Sequence, residues 1–285
     1  MGARVACPSE VLTDLHVHLR PDDLDASAED HFTAANAERY LEVAAERGVE
    51  ELGVSEHVYR FREALSVWRH PFWTMNAKDD LDAYCAFVRE ETPLRLGIEA
   101  DFVPGAEDRT ANLLEERDLD YVIGSVHFLR DAALDMRGDW DVWTHGDPEK
   151  VWRRYFETLG EAARSGLFDV LAHPDLVKVW GAESPRPDGD LRRFYDLAMD
   201  GIADSDVAIE VSTSGLRKPV GEIYPAPAFL EMCLEAGRPV ALSSDAHVPG
   251  DIAHRYDDAL ELLDSLGVDR LAVFERRERR LEPIG

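Results

Sequence analysis

The feature that most constrains the fold is a regular alternation of short apolar segments with longer segments of helical periodicity. Seven apolar segments rich in β-branched residues have the length of strands, at 11–19, 51–58, 94–103, 120–128, 169–176, 207–214 and 239–247. Seven helix candidates alternate with them, at 34–48, 79–91, 107–117, 149–165, 190–204, 226–237 and 255–266. This alternation is typical of βα units, which form parallel sheets covered by helices. Because no Pro-, Ser- or Gly-rich linker divides the chain, we predict one domain over 1–285 with a barrel-like (β/α)7 arrangement.

Composition and charge exclude several classes of partner. No apolar run reaches the ~18 residues that a membrane-spanning helix needs, and the first residues lack the apolar stretch of a secretory signal. The formal charge of −27 repels nucleic-acid backbones and anionic lipid. Cys7, Cys85 and Cys233 have no paired spacing, which favours a reducing compartment. We therefore predict a cytoplasmic protein that binds neither nucleic acid nor membranes; the oligomeric state stays open.

Six of the ten histidines fall at the carboxyl ends of predicted strands. His16 and His18 are separated by one residue and so point to the same side of a strand. The same spacing of two residues recurs on other strands. Glu99 and Asp101 end the third strand in this way, and Asp245 and His247 end the seventh. The other strand-end histidines are His57, His127 and His173. Active sites of α/β barrels are built at this end of the strands.

Imidazole nitrogens together with carboxylate oxygens form the ligand set of zinc, manganese or iron. The number of candidate donors exceeds the four to six that one ion takes, so we predict two or three divalent metal ions. Such centres suit in-line displacement at phosphorus as well as amide and ester hydrolysis.

Basic residues near the same strand ends favour phosphorus chemistry. The chain has only four lysines, and two of them, Lys178 and Lys218, follow predicted strands. Arg60 and Arg62 follow His57, and Arg217 precedes Lys218. Lysine binds phosphate as a point charge and arginine as a two-pronged donor. We predict that Arg60, Lys178, Arg217 and Lys218 bind the substrate.

Two connections, 59–78 and 129–148, are too long for simple turns. They contain Trp68, Trp73, Trp140 and Trp143. These segments either cover a substrate or are surface segments that the tryptophans anchor, and the sequence leaves both readings open.

Six ordered motifs resemble the polymerase-and-histidinol-phosphatase (PHP) family of metallophosphoesterases. They are His16-x-His18, Ser55-Glu56-His57, Gly97-Ile98-Glu99-Ala100-Asp101, Gly124-Ser125-Val126-His127, Ala172-His173-Pro174-Asp175 and Ser244-Asp245-Ala246-His247. The segments TSGLRK (213–218) and SVHFL (125–129) resemble the histidinol-phosphatase branch. The resemblance implies a distorted seven-stranded barrel with its metal site at the carboxyl ends of the strands.

The resemblance also implies a ligand set for three ions. His16, His18, Glu99 and Asp245 would hold the first ion, and Glu99 would bridge to a second held by His127 and His247. His57 and His173 would serve a third ion. A further ligand to this ion would come from Asp22, Asp23, Asp25 or His31, among which the sequence does not choose.

The activity implied is hydrolysis of L-histidinol phosphate to L-histidinol and phosphate by a metal-bridging hydroxide, with no catalytic side chain beyond the ligands. Asp131, Asp139, Asp141 and the aromatic residues of the long connections are candidates to bind the leaving group. Three alternatives remain. They are a PHP phosphoesterase acting on another phosphomonoester or on a nucleic-acid phosphodiester, a metal-dependent amidohydrolase, and a non-catalytic metal-binding interaction module.

Overall fold

Seven strands form a parallel sheet. Each barrel strand pairs with the barrel strand that follows it in the sequence. The computed structural model describes residues 11–285, so Cys7 and the predicted absence of a signal peptide lie outside the described residues. The sheet has the order β1-β2-β3-β4-β7-β8-β9. Its strands are β1 (Thr13–Asp14), β2 (Glu51–His57), β3 (Arg95–Asp101), β4 (Tyr121–Ser125), β7 (Val170–Leu171), β8 (Ala208–Ser212) and β9 (Val240–Ser243). Two hairpins, β5 (Phe128–Leu129) with β6 (Ala132–Ala133) and β10 (Arg270–Glu275) with β11 (Glu278–Pro283), complete the strands.

The sheet nearly closes into a barrel because its first and last strands meet beyond their regular ends. Val17 forms an isolated parallel bridge with Ala246, and the N–H of His18 donates to the carbonyl of Ala246 at 2.8 Å. On the other side of the same segment, the N–H of Ser55 donates to the carbonyl of Val17 at 2.8 Å. The (β/α)7 barrel prediction is confirmed.

All seven predicted helices are present, and each observed boundary lies within a few residues of its predicted position. The helices are α1 (Ala28–His31), α2 (Ala34–Glu46), α3 (Pro71–Asn76), α4 (Leu81–Glu91), α5 (Glu107–Glu115), α6 (Pro148–Arg164), α7 (Arg192–Ala203), α8 (Pro227–Glu235) and α9 (Tyr256–Ser265). The short helices α1 and α3 were not predicted, because they are shorter than two helical turns and give no clear periodicity. In the described residues, no helix is long and apolar enough to cross a bilayer.

The hairpin β10–β11 closes the amino-terminal end of the barrel, and sequence patterning did not predict it. Its turn lies at the start of β4, since the N–H of Arg277 donates to the carbonyl of Asp120 at 2.8 Å. Ala272 and Phe274 join the apolar cluster that fills the barrel interior. The ring of Tyr121 lies 6.3 Å from that of Phe274. With this end filled by side chains, the carboxyl ends of the strands are left for the site.

The two long connections pack against each other over the carboxyl ends of the strands. Segment 59–78 holds α3, and segment 129–148 holds β6 of the β5–β6 hairpin. Trp73 and Trp143 are buried, whereas Trp68 and Trp140 are half-buried. The ring of Trp140 contacts Phe72 in an edge-on geometry at 5.6 Å. Buried tryptophans therefore anchor both segments, and Phe72 lines the cavity described below.

Candidate metal centre

Glu99 lies at the middle of a buried cluster of imidazoles. Its register partner on β2 is His57, and the Nδ1 atom of His57 lies 2.5 Å from Glu99 Oε2. The same oxygen lies 3.3 Å from His16 Nε2 and 3.7 Å from His18 Nε2. The other oxygen, Oε1, lies 3.3 Å from His127 Nε2 and 3.1 Å from His173 Nε2. One carboxylate thus faces five imidazoles from four neighbouring strand ends.

Asp245 and His247 complete the cluster from the end of β9. Asp245 Oδ1 lies 3.5 Å from His18 Nε2 and 3.8 Å from His16 Nε2. The ring of His247 stacks on that of His18 with 4.2 Å between centroids. All eight residues predicted as metal ligands therefore lie in one cluster.

The cluster contains three groups of three residues that could each hold a metal ion. Within each group, one donor atom from every residue lies within 4.8 Å of the donor atoms of the other two. The groups are His16–His18–Asp245, His16–Glu99–His173 and His18–His57–His247. The last group differs from the set implied by the resemblance, which places His247 with Glu99 and His127. The structure thus brings the predicted residues together without reproducing that division among ions.

The cluster is suited to divalent metal ions because several of its donor atoms form no hydrogen bond among the described residues. Among the described residues, no hydrogen bond reaches the Nε2 atoms of His16, His18 and His247, or Oε2 of Glu99. His16 and His18 are fully buried. Buried polar atoms without partners are costly, and a cation between them would satisfy their lone pairs. The donor set of imidazole nitrogen and carboxylate oxygen is the one that zinc, manganese and iron accept.

Two carboxylates behind the cluster orient its rings. Glu210 Oε1 lies 2.7 Å from His16 Nδ1, and Asp101 Oδ1 lies 2.8 Å from His127 Nδ1. Holding Nδ1 in this way leaves Nε2 free to point into the cluster, which is the usual arrangement of metal-binding histidines. Sequence reasoning identified Asp101 as a strand-end carboxylate but did not identify Glu210. The available signal was a single acidic residue inside the apolar strand 207–214.

Asp22 is the residue of the RPDD segment that reaches the cluster. Its Oδ2 lies 3.1 Å from His247 Nε2 and its Oδ1 lies 3.6 Å from His57 Nε2. The guanidinium of Arg60 donates to the same carboxylate at 2.6 Å. Of the other candidates for a further ligand, Asp23 lines the cavity, Asp25 lies in a separate shallow groove, and His31 ends α1.

The charges in the cluster favour bound cations. Burial raises the pKa of Glu99, but the surrounding imidazoles, among them His16 and His127, outweigh it and hold the pKa well below its usual range. Burial likewise lowers the pKa of His127, but the carboxylates of Glu99 and Asp101 raise it to about 10. For His57, burial dominates and lowers the pKa to about 3, which keeps the ring in the neutral form that binds metal. The carboxylates thus remain ionised and attract positive charge.

A cavity of about 370 Å³ opens above the cluster. His57, His127, His173, Asp245 and His247 form its floor, and Tyr59, Phe72, Phe128, Trp180 and Tyr224 contribute aromatic walls. The cavity has the size and the mixed polar and apolar lining of a small-molecule site.

Two of the four cationic residues predicted to bind substrate line this cavity. Lys218 is exposed there and has no ion pair within residues 11–285. Arg60 also lines the cavity, but it is paired with Glu56 and Asp22. Ion pairs therefore already neutralise the charge of Arg60, whereas no carboxylate of the described residues pairs with Lys218.

Lys178 and Arg217 do not line the cavity. Lys178 is buried with its Nζ 3.1 Å from Asp175 and 3.1 Å from Glu222. Arg217 donates to the carbonyls of Ser244 and Asp245 at 2.8 and 2.9 Å. These two residues hold the loops around the site. Their spacing along the chain did not show whether their side chains lie inside the cavity or next to it.

The acidic residues predicted to bind the leaving group are also displaced from the cavity. Asp141 accepts from the N–H of Trp143 at 2.8 Å and begins a short 3-10 helix, Asp139 is exposed, and Asp131 lines a second cavity. Asp135 lines the first cavity instead, and its Oδ1 is buried with no hydrogen-bond partner among the described residues. The β5–β6 hairpin determines which acidic residue of this connection faces inward, and the sequence pattern did not reveal this hairpin.

The fold and the cluster define an α/β barrel whose site is suited to divalent metal ions. Residues 14–214 match the family model described as "PHP domain". The chain is 35% identical over 252 residues to the "Probable histidinol-phosphatase" of Deinococcus radiodurans, covering 86% of this chain and 91% of that protein. It is 28% identical over 188 residues to the "Histidinol-phosphatase" of Bacillus subtilis, covering 61% of this chain and 70% of that protein. The chain therefore belongs to the PHP family, in its histidinol-phosphatase branch.

A solved structure shares this fold over most of the chain. It is a histidinol phosphate phosphatase from Lactococcus lactis, complexed with zinc, L-histidinol and phosphate. The TM-score is 0.70 at 17% identity, and the match covers 95% of this chain and 100% of that one. The seventh strand of the barrel, β9, lies beyond the span of the family model, yet it belongs to the same sheet.

Proposed function

We propose that the protein hydrolyses L-histidinol phosphate to L-histidinol and phosphate in a metal-dependent reaction. The observation that carries this proposal is the buried cluster around Glu99 at the floor of a cavity whose rim holds Lys218, a cation with no ion pair among residues 11–285. The names of the relatives from D. radiodurans and B. subtilis support the substrate. The complex of the L. lactis neighbour with L-histidinol and phosphate supports it further.

The proposed ligands of two or three divalent ions are the eight clustered residues, with Asp22 as a further ligand. They are His16, His18, His57, Glu99, His127, His173, Asp245 and His247. Zinc is the first candidate, since the L. lactis neighbour contains it, and manganese or iron suit the same donors. Divalent ions at such a site supply an activated water nucleophile and neutralise charge on the phosphoryl oxygens.

The chain's own residues orient the ligands and bind the substrate. Glu210 and Asp101 hold the Nδ1 atoms of His16 and His127, so that each ring keeps one orientation. Lys218 attracts the phosphate as a point charge on the rim of the cavity. The aromatic walls exclude bulk water, which strengthens each electrostatic contact inside.

Asp135 is the proposed partner of the leaving group. The ammonium of histidinol requires an acceptor, and Oδ1 of Asp135, which has no hydrogen-bond partner in the described part of the chain, provides one inside the cavity. The flat imidazole of histidinol fits against Phe72 and Trp180, which line the same cavity. A cytoplasmic location is part of the proposal, and the free thiols of Cys85 and Cys233 fit it.

The test is phosphate release from a panel of substrates by metal-replete and chelator-treated protein. The panel holds histidinol phosphate, other small phosphomonoesters, a phosphodiester and a short DNA. We expect metal-dependent release with a strong preference for histidinol phosphate, which His16→Ala abolishes and His145→Ala, an exposed histidine outside the cavity, leaves unchanged. Equal turnover of unrelated phosphomonoesters would contradict the substrate, and turnover that survives chelation would contradict the mechanism.

A further inference from the structure

A second cavity of about 290 Å³ lies behind the proposed active site. Residues from the end of β3, the β5–β6 hairpin, α6 and the connection after β2 form it. They are Trp68, Asp101, Phe102, Val103, Pro104, Phe128, Arg130, Asp131, Arg154 and Thr158. Phe128 lines both cavities, so they are neighbours.

Two guanidinium groups line this cavity without a close carboxylate partner. Arg130 forms neither an ion pair nor a side-chain hydrogen bond with any of residues 11–285. Within the same range, the nearest carboxylate oxygen to Arg154 belongs to Glu157 at 3.8 Å, and both side chains there are more than a third exposed. In a protein with a formal charge of −27, two arginines that line one cavity, with no carboxylate oxygen of residues 11–285 closer than 3.8 Å to either guanidinium, offer a site for an anion.

Arg130 has a backbone conformation that is unusual for a residue other than glycine. Arg130 and Asp131 form the two-residue turn between β5 and β6, and Arg130 has a φ of 57°. In a two-residue turn whose first residue has a positive φ and whose second does not, the first residue is normally glycine. Backbone strain of this kind clusters at functional sites, and this conformation fits a functional role for Arg130.

The remaining lining residues define the chemistry of the occupant. Trp68 and Phe128 meet edge to face at 5.2 Å between ring centroids, and Phe102 adds a third aromatic surface. Two carboxylates line the cavity: that of Asp101 faces His127, whereas that of Asp131 is exposed and supplies one negative group beside the two arginines. A flat apolar surface, two cations and one anion together match a zwitterionic amino acid with a ring in its side chain.

The cavity is joined to the metal cluster through one hydrogen bond. Asp101 lines the cavity, and its Oδ1 lies 2.8 Å from His127 Nδ1. His127 in turn faces Glu99 with its Nε2 at 3.3 Å. An occupant that moves Asp101 therefore changes the orientation of a proposed metal ligand.

We propose that this cavity is an effector site for an amino acid with a flat, unsaturated ring. Its carboxylate binds Arg130 and Arg154, its ammonium binds Asp131, and its ring lies against Trp68, Phe102 and Phe128. Occupation of the site changes the affinity of the neighbouring centre for metal. The proposal does not depend on which phosphomonoester the active site hydrolyses.

The test is calorimetric titration of the full-length, zinc-loaded protein with L-phenylalanine, L-tryptophan and L-histidine. L-Alanine, which lacks a ring, and inorganic phosphate, which is only an anion, are the comparison ligands. We expect saturable binding of at least one ring-bearing amino acid, at least ten-fold tighter than either comparison ligand. Absence of saturable binding, or equal binding of phosphate, overturns the proposal.

Variants separate this cavity from the active site. Arg130→Asn, which tolerates the positive φ, and Arg154→Gln are each expected to weaken binding about ten-fold or more. Arg153→Gln, an exposed neighbour on α6, and Lys218→Ala in the first cavity should leave it unchanged. The bound amino acid should also shift the zinc affinity by about five-fold or more. Binding that persists in both cavity variants, or that leaves the zinc affinity unchanged, refutes the proposed effector site.

Discussion

Replacing Glu210 by glutamine tests whether the carboxylate behind His16 organises the metal cluster. Glu210 is buried and accepts three hydrogen bonds. His16 Nδ1 lies 2.7 Å and Ser243 Oγ 2.5 Å from Oε1, while the N–H of His173 donates to Oε2. Burial raises the pKa of Glu210, but His16 and His173 lower it below its usual value, so the group is ionised at neutral pH. Glutamine has the same shape but only one acceptor oxygen.

The magnitude follows from counting these hydrogen bonds. If the amide oxygen faces His16 and Ser243, the amide nitrogen faces the N–H of His173 and leaves that donor without a partner. One unsatisfied buried donor costs about 1–3 kcal/mol, and the loss of charge from the other two bonds adds about 1 kcal/mol. We therefore expect the free energy of unfolding to fall by about 2–4 kcal/mol. Metal affinity should weaken about 10- to 100-fold, as is usual when a carboxylate that orients a ligating histidine is altered.

The measurement is zinc affinity by competition with a chromophoric chelator, together with urea unfolding of the metal-free protein. Glu235→Gln, an exposed glutamate on α8, is the matched control and should change neither quantity. A Glu210→Gln protein that keeps wild-type zinc affinity within two-fold would refute the positioning role.

Three further predictions concern packing, pH and charge. Gly97→Ala would place a Cβ 2.3 Å from the ring of buried Tyr121, so urea unfolding should show a loss of about 1–3 kcal/mol, whereas Gly250→Ala, which meets open space, should show almost none. Burial raises the pKa of Asp14 from 3.8 to about 6, so this residue stabilises the fold most at low pH and loses that contribution as pH rises through 6. In metal-free protein, the wild-type stability relative to Asp14→Asn should thus fall by about 2 kcal/mol between pH 4 and pH 8, and a pH-independent difference would contradict this. Lys218→Ala should raise KM for the phosphomonoester about ten-fold with little change in kcat, and the reverse pattern in steady-state kinetics would exclude a binding role.

The sequence predicted the barrel because each strand and helix carried its own local signal. The helix α2, for example, lies within a predicted periodic segment and is followed by Gly48, whose φ of 74° suits the end of a helix. The hairpin β10–β11 was missed because β11 is largely exposed and mostly charged, so it shows no apolar pattern. Its role depends on contact with the barrel interior, which no local pattern records.

The clustering of the eight candidate ligands was predictable for a geometric reason. Parallel strands in adjacent positions place their carboxyl ends on one rim, so donors at those ends must lie near one another. Glu210 was not predicted because a lone acidic residue in a strand does not show which ring it contacts. Asp135 was missed because a hairpin inside a long connection determines which side chains turn inward.

The sequence by itself therefore determined the architecture and the set of residues that meet at the strand ends, since periodicity and strand position suffice for these, and its six ordered motifs indicated the family. The tertiary structure decided which charges remain free. Lys178 and Lys218 look alike along the chain, but Lys178 is buried between Asp175 and Glu222, whereas Lys218 faces the cavity. The difference is physical, because the effect of a charge depends on the partners and the solvent around it, and only the folded chain brings those partners together.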